Sequence, residues 1–339
     1  MTQKIKITDI AQASGVSIAT VSLVLNNRPG ISQDTRTRVL DICEELGYQL
    51  SNSMARAGRL ETLGMIVKAE SDVLPQANPF YSQVMAGIEQ ACRRGGINLL
   101  YATLPVDENN HPTQIPVLFG NKNLDGLLMV GAFWDELIQT VSDQKSPPIV
   151  LVDGYSNTES FDMVVSDNFR ASYQMVEYLL AKGHRHIALA GGEADAYPSL
   201  RDRRNGYLRA LKEHDINDIY LCEFNINKTK GHSEIAEFLK STPQVTAIFG
   251  INDQVALDVS RVAQMMGKHI PGELSIVGYD DTYLAVNAHP PLTTIRVDTV
   301  AMGRAAVQML AFRIENPEAA RMTLTIHPTL VERYSVTQL

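Results

Sequence analysis

The stretch 8–27, TDIAQASGVSIATVSLVLNN, divides into two short helices about a tight turn. Thr8 or Asp9 can cap a first helix carrying Ile10, Ala11 and Ala13. Gly15 supplies the turn, since glycine takes positive φ without steric cost. Ser17 then stands as the N-cap of a second helix, whose Val21, Val24 and Leu25 share one face at three- and four-residue spacing. Small Ala11 and Gly15 let the helices approach closely at a steep angle. That is the helix-turn-helix arrangement, whose second helix enters the major groove of DNA N-terminus first. An ordinary helical hairpin fits the same spacing, so this stretch alone leaves both readings open.

A third helix weighs toward DNA. Ser32 caps 33–46, where Val39, Ile42, Cys43 and Leu46 form one apolar stripe and Gly47 stops it. Arg36 and Arg38 point away from that stripe, toward phosphates. Together with ISQDTRTRVL (31–40) and ELGY (45–48), the opening stretch resembles the N-terminal module of the lactose-repressor/galactose-repressor (LacI–GalR) family. Matching positions include Ala11, Gly15, Val16, Ser17, Thr20, Val21, Ser22, Asn26, Thr35, Arg36, Val39, Leu46, Gly47 and Tyr48. The resemblance implies DNA contacts from Thr8, Ser17, Thr20, Ser22, Asn26 and Arg36. Ile18 and Ala19, early in the second helix, suit apolar contact with bases, as with a thymine methyl. Leu23 stands where the family commonly has arginine, which implies a changed base preference.

After Tyr48 the chain turns polar, QLSNSMARAGRLET, and reads as a linker. In the resembling family this hinge becomes a short helix that wedges a leucine into the minor groove. The match, Asn52-x-x-Ala55-Arg56, brings Met54, Ala55 and Arg56 to DNA and puts Gly58 where the leucine belongs. Glycine has no side chain to wedge and costs about 1 kcal/mol against alanine in a helix. Leu50 stands at the family's proline. Leu60 and Met54 are the alternative wedges.

Composition separates the ends. Of 30 Lys/Arg and 38 Asp/Glu, residues 1–60 hold seven and five, leaving 23 and 33 for the remainder. A mildly basic head on an acidic body suits one end facing DNA. Three scattered cysteines with no CxxC pair argue against disulfides and structural zinc. No run of about 18 apolar residues spans a membrane, and MTQKIKITD lacks a signal core, so a cytoplasmic protein is expected.

From residue 63 the pattern alternates. Strand-like runs fall at 63–67, 97–104, 125–132 and 149–154, then at 186–192, 219–224, 247–252 and 274–280. Helical stretches lie near 82–94, 170–182, 202–213, 232–240, 254–266 and 299–314. Such alternation predicts two lobes, each a doubly wound parallel sheet. The body, through NPFYSQVMAGIEQA, GHRHIALAGG, AIFGINDQVAL, IPGELSIVGYDD and PPLTTIRVD, resembles the effector domain of the same family, similar in turn to periplasmic sugar-binding proteins. The expected organisation is a helix-turn-helix domain at 1–50, a hinge at 51–61 and an effector-binding and dimerisation domain at 62–339. Lobe one would take about 62–163 and 293–322, lobe two about 164–292 and 323–339, with crossovers near 162–167, 290–296 and 320–327.

Ligands of open α/β sheets bind outside the carboxyl ends of the strands. Asp153, Asn252 with Asp253, and Asp280 with Asp281 follow strands there, and Arg201 and Arg203 open the helix after AGGEADAYPSL. Carboxylates and amides bond vicinal hydroxyls, and arginine offers a planar fork. The resemblance implies effector contacts from Asp153, Arg203, Asn252 and Asp280; Asp253 and Asp281 are expected to cap helices. Phe80, and Phe133 with Trp134 after the third strand, are candidates to stack on an apolar ring face. Ile226 replaces an aromatic that sugar-binding relatives often carry. His184 and His186 lack a third metal ligand, and a surface or capping role is expected.

No nucleophile elbow, metal box or phosphate loop is present, so neither an enzyme nor a cofactor is expected. The reading is a DNA-binding transcriptional regulator, acting as a homodimer on a near-palindromic operator and controlled by a small polar effector, a sugar or its derivative. With no leucine heptads at the end, dimers rather than tetramers are expected. A solute-binding protein with no DNA role is the alternative.

Overall fold

A computed structural model describes residues 5–25, 30–46, 60–70, 75–107, 111–121, 123–133, 147–156, 161–194, 196–226 and 231–339. The chain separates into two compact units, Met1–Glu61 with Ala311–Pro317 and Thr62–Leu310 with Glu318–Leu339.

The first unit contains helices α1 (Ile7–Ser14), α2 (Ile18–Leu25) and α3 (Gln33–Glu45). The first helix starts two or three residues earlier than its expected caps, Thr8 or Asp9, suggest. Lys6 is the N-cap, and its backbone N–H donates to the Asp9 carboxylate at 2.7 Å, so Thr8 and Asp9 lie inside the first turn. Gly15 ends α1 with φ 68°, a left-handed conformation that favours glycine. Ser17 and Ser32 each accept from the backbone N–H three residues on, at 3.0 and 3.4 Å, and so start α2 and α3 as expected. The axes of α1 and α2 differ by 107°. Ile10, Ala11, Val21, Val24, Leu25, Val39 and Cys43 make the core. Leu46 is exposed, contrary to expectation, because α3 ends before it.

The second unit holds two six-stranded sheets. Strands β1 (Thr62–Glu70), β2 (Asn98–Val106), β3 (Gly126–Val130), β4 (Ile149–Val152), β5 (Asp162–Ser166) and β11 (Thr323–Ile326) form the first, in the order β11-β5-β4-β3-β1-β2. Strands β6 (Ile187–Ala190), β7 (Tyr220–Cys222), β8 (Ala247–Gly250), β9 (Ser275–Asp280), β10 (Thr293–Arg296) and β12 (Thr329–Val331) form the second, in the order β12-β10-β9-β8-β6-β7. All pairings are parallel except β10 with β12. The central strands β3, β4, β6 and β8 are buried throughout, which is why they read as unbroken apolar runs.

Sheet membership corrects the lobe boundaries. Residues 293–296 hydrogen-bond to β9 and belong with the second lobe, whereas 323–326 pair with β5 in the first. The chain crosses after Ser166, after Arg296 and after Ile326, so the strands at 162–166 and 293–296 precede their crossovers. A short TTIR or TLTI run announces a strand, but its partners are distant in sequence.

The helices of this unit are α4 (Pro79–Gly95), α5 (Asn168–Ala181), α6 (Pro198–Glu213), α7 (His232–Ser241), α8 (Asp253–Met265), α9 (Tyr283–Asn287) and, as far as Leu310, α10 (Thr299–Glu315). Two helix pairs touch backbone to backbone at glycine. A Cβ on Gly87 would meet the Val300 carbonyl oxygen at 2.3 Å, and one on Gly206 would meet that of Phe169 at 2.3 Å. His184 is buried, not at the surface. Its Nδ1 bonds Thr246 Oγ1 at 2.9 Å and its Nε2 the Thr337 carbonyl at 3.1 Å, which pins the C-terminal segment to the second lobe.

Candidate functional site

Between the carboxyl ends of the two sheets lies a cavity of 480 Å³. Each lobe supplies charged residues from strand ends and the helices after them. Asp153 follows β4, Lys68 lies near the end of β1, and the NPFY turn begins α4, where the Asn78 side chain accepts from the backbone N–H groups of Phe80 and Tyr81. From the other lobe come Arg203 on α6, Asn252 after β8 and Asp280 at the end of β9.

Arg203 organises the second-lobe wall. Its Nε donates to Asn168 Oδ1 at 2.9 Å and its Nη1 to the Ile251 carbonyl at 2.8 Å. Its Nη2 stands 3.1 Å from Asp280 Oδ1, close for an ion pair but out of hydrogen-bond alignment. The guanidinium lies 3.7 Å from the centre of the Tyr279 ring. Asn168 in turn donates to the Tyr155 hydroxyl at 2.9 Å. The Nε and Nη1 edges of the fork are therefore hydrogen-bonded, the Nη2 edge faces Asp280 and one planar face covers Tyr279.

Asp153 is held differently. Tyr81 donates to its Oδ2 at 3.1 Å, while its buried Oδ1 has no hydrogen-bond partner. Burial pushes the Asp153 carboxyl up to about 6, against the pull of Arg203, the Tyr81 bond and Lys68. Burial likewise pushes Asp280 up to about 6, against Arg203. Asp253 rises to about 7, first through burial and then through the neighbouring Asp280 carboxylate. Four non-glycine residues among those described have positive φ, and three of them, Asp153 (53°), Asp280 (106°) and Asp281 (55°), stand at these strand ends. Strain of this kind persists where the surroundings over-determine it, commonly at ligand sites.

Several expectations meet the geometry. Phe80, Asp153, Arg203, Asn252 and Asp280 all line the cavity. Asn252 also caps α8, its Oδ1 accepting from the Val255 N–H at 2.9 Å. Arg201 does not line it: two residues before Arg203 on the same helix, it turns to solvent. Asp253 and Asp281 are not helix caps. Asp253 accepts from the Thr282 N–H and hydroxyl and from Thr294 Oγ1, at 2.7, 3.0 and 2.6 Å, tying β9's loop to β10. Asp281 pairs with Arg296 and Arg333, each at 2.6 Å. Phe133 packs in the first-lobe core; Trp134 lies outside the described residues.

Sequence reading missed Lys68, Tyr81, Tyr197 and Phe224. Lys68 Nζ donates to the Tyr197 hydroxyl at 2.6 Å and sits 4.1 Å from its ring centre, a contact from one lobe to the other. Phe224 lines the wall beside Ile226, which restores an aromatic there. Among the described residues no group of three or more His, Cys, Asp or Glu could hold a metal.

On the first unit, Ser17, Ile18, Ala19 and Leu23 are exposed along α2, with Ile18 54% and Leu23 39% accessible. Thr20 is half-buried and bonded to Ser17 Oγ, and Ser22 is half-buried. Thr8 is exposed and Arg36 half-buried. Asn26, Met54, Ala55, Arg56 and Gly58 lie outside the described residues.

A steep helix pair with an exposed apolar second helix, joined in one chain to a two-lobed α/β body, defines a DNA-binding regulator with an effector domain. Residues 6–51 match the family described as bacterial regulatory proteins, lacI family, and residues 176–336 match the periplasmic binding protein-like domain. The chain is 33% identical to the ribose operon repressor of Haemophilus influenzae, over 98% of each chain. Its structure is similar to that of a complex of the transcriptional regulator CelR with cellobiose (26% identity, TM-score 0.69, 98% and 99% covered). A LacI family transcriptional regulator from Enterococcus faecium with bound ribose is similar at 25% identity and TM-score 0.68, with 82% of this chain and all of that one covered. The chain belongs to the lacI family. It is a transcriptional regulator, not an enzyme, with a helix-turn-helix domain and a periplasmic-binding-protein-like domain. No single helix among the described residues is long and apolar enough to cross a membrane.

Proposed function

We propose that the chain represses transcription as a homodimer on a near-palindromic operator, and that a sugar or sugar derivative in the interlobe cavity controls its operator affinity. The observation that carries this reading is the convergence of Asp153 from one lobe with Arg203 and Asp280 from the other in one cavity. A ligand that bonds Asp153 in one lobe and packs against the wall that Arg203 holds in the other sets the angle between the lobes. Two-fold operators call for two heads about one helical turn apart. In a dimer the lobe angle sets the spacing of the heads. The α2 face, with Ile18, Ala19 and Leu23 exposed, supports apolar base contact. The ligand can shift operator binding only by its differential affinity for the two lobe arrangements, typically about 1–3 kcal/mol.

The test is selection of operators from a random duplex pool, followed by titration with and without each of a panel of free sugars. A palindromic consensus whose occupancy one sugar changes supports the proposal. Binding without symmetry, or occupancy that no sugar alters, refutes it.

A further inference from the structure

We infer that the cavity takes an uncharged polyol and excludes the phosphate ester of the same polyol. This rests on the reading of the cavity as a sugar site. Three observations carry it. First, Asp153 lines the cavity and its buried Oδ1 lacks a hydrogen-bond partner, so the carboxylate calls for a donor. A sugar hydroxyl donates; the ionised phosphoryl group of an ester, with acceptor oxygens only, meets a carboxylate with repulsion. Second, the cations are already engaged. Arg203 spends its fork on Asn168, the Ile251 carbonyl and Asp280, and Lys68 donates to Tyr197 across the lobes. Phosphate sites are built the other way, with a fork or ammonium turned to the anion. Third, four carboxylates line the cavity, Asp153, Asp253, Asp258 and Asp280, against Lys68 and Arg203. Asp258 is paired from outside the lining by His232 at 3.1 Å and by Arg261 at 4.0 Å, which offsets that carboxylate and leaves three against the two cations. Inside a low-dielectric cleft this imbalance opposes any further negative charge.

The consequence places the regulator in a reaction sequence. Its effector is the free polyol, which phosphoryl transfer consumes, and the phosphorylated product is silent. The regulator then reports supply of the sugar rather than flux beyond its phosphorylation.

The test uses the full-length protein and matched pairs: ribose with ribose 5-phosphate, glucose with glucose 6-phosphate, and cellobiose with its 6-phosphate. Titration calorimetry at pH 7.5 should find one neutral sugar that binds at least about 100-fold more tightly than its ester. An ester that binds as well as its parent overturns the inference and leaves the sugar site standing. If no member of any pair binds, the sugar reading fails and the inference falls with it. Asp153→Asn replaces the carboxylate with an amide that can donate, and should narrow the preference at least tenfold. A folded variant that discriminates as sharply as the native protein overturns the role given to Asp153.

Discussion

The two lobes share one strand order but present their charges in different states. In the second lobe, Arg203 is locked by Asn168, Ile251 and Asp280, and Asp253 by three donors from Thr282 and Thr294. In the first, Asp153 has Tyr81 on one oxygen and nothing on the other. The second lobe is therefore a wall that hydrogen bonds hold at Arg203 and Asp253, although Asp280 Oδ1, like Asp153 Oδ1, has none. The first offers an acceptor that a ligand completes. Closing the lobes on a donor-rich molecule gains a bond at Asp153 without breaking the network around Arg203.

The comparison breaks first at Arg203. Arg203→Ala leaves Asp280 and Asn168 buried without their partner, and thermal or urea unfolding should show a loss of about 3–5 kcal/mol. A loss under 1 kcal/mol would mean that the wall is not held by this residue. The helix pairs offer the next largest effect, and one in which the lobes should agree. Gly206→Ala and Gly87→Ala each force a methyl onto a backbone oxygen, and each should cost about 1–3 kcal/mol in the same unfolding experiment.

Proton competition should be smaller. Both Asp153 and Asp280 sit near 6 in the ligand-free protein, because burial disfavours their charged forms. Hydroxyl donors favour the ionised carboxylate, so ligand binding lowers these values and releases protons. Affinity should be flat above about pH 7 and weaken as pH falls through 6, by up to tenfold per unit for each proton that competes. Calorimetry in two buffers of different ionisation enthalpy measures the release, and a pH-independent affinity between 5 and 7.5 would contradict it. The smallest effect is on the stability of Asp153→Asn. The amide keeps an acceptor for Tyr81 and removes a buried charge, so unfolding should move by less than about 1 kcal/mol, against the large loss at Arg203.

Much of this arrangement is legible in the residues. Unbroken apolar runs such as IVLV and AIFG announce buried parallel strands, and the acids and amides that follow them are the cavity residues Asp153, Asn252 and Asp280. Ser17 before an apolar three-four pattern announces α2. The choice between Arg201 and Arg203 was legible too. Arg203, Tyr207, Ala210 and Leu211 share one buried stripe of α6, while Arg201 falls on the opposite face. Other features depend on contacts remote in sequence. Lys68 meets Tyr197 only once the lobes are folded, and nothing local to either marks it as polar lining. Asp253 looks like a helix cap because it stands at a helix start, yet neighbouring Asn252 takes the cap and frees Asp253 to bridge β9's loop and β10. Which sheet receives TTIR or TLTI is set by the paths of the crossovers rather than by the strands.

The central claim, that the cavity governs DNA binding through the Arg203 fork, is tested most directly by operator titrations of the native protein and Arg203→Lys. Each is measured with the sugar that binds absent and then saturating. Lysine keeps the charge but loses the fork. The native protein should change its operator affinity by about 5- to 150-fold on saturation. Arg203→Lys should bind operator as the sugar-free native protein does and should not respond to sugar. A variant that keeps the full response would contradict the account and place the switch elsewhere.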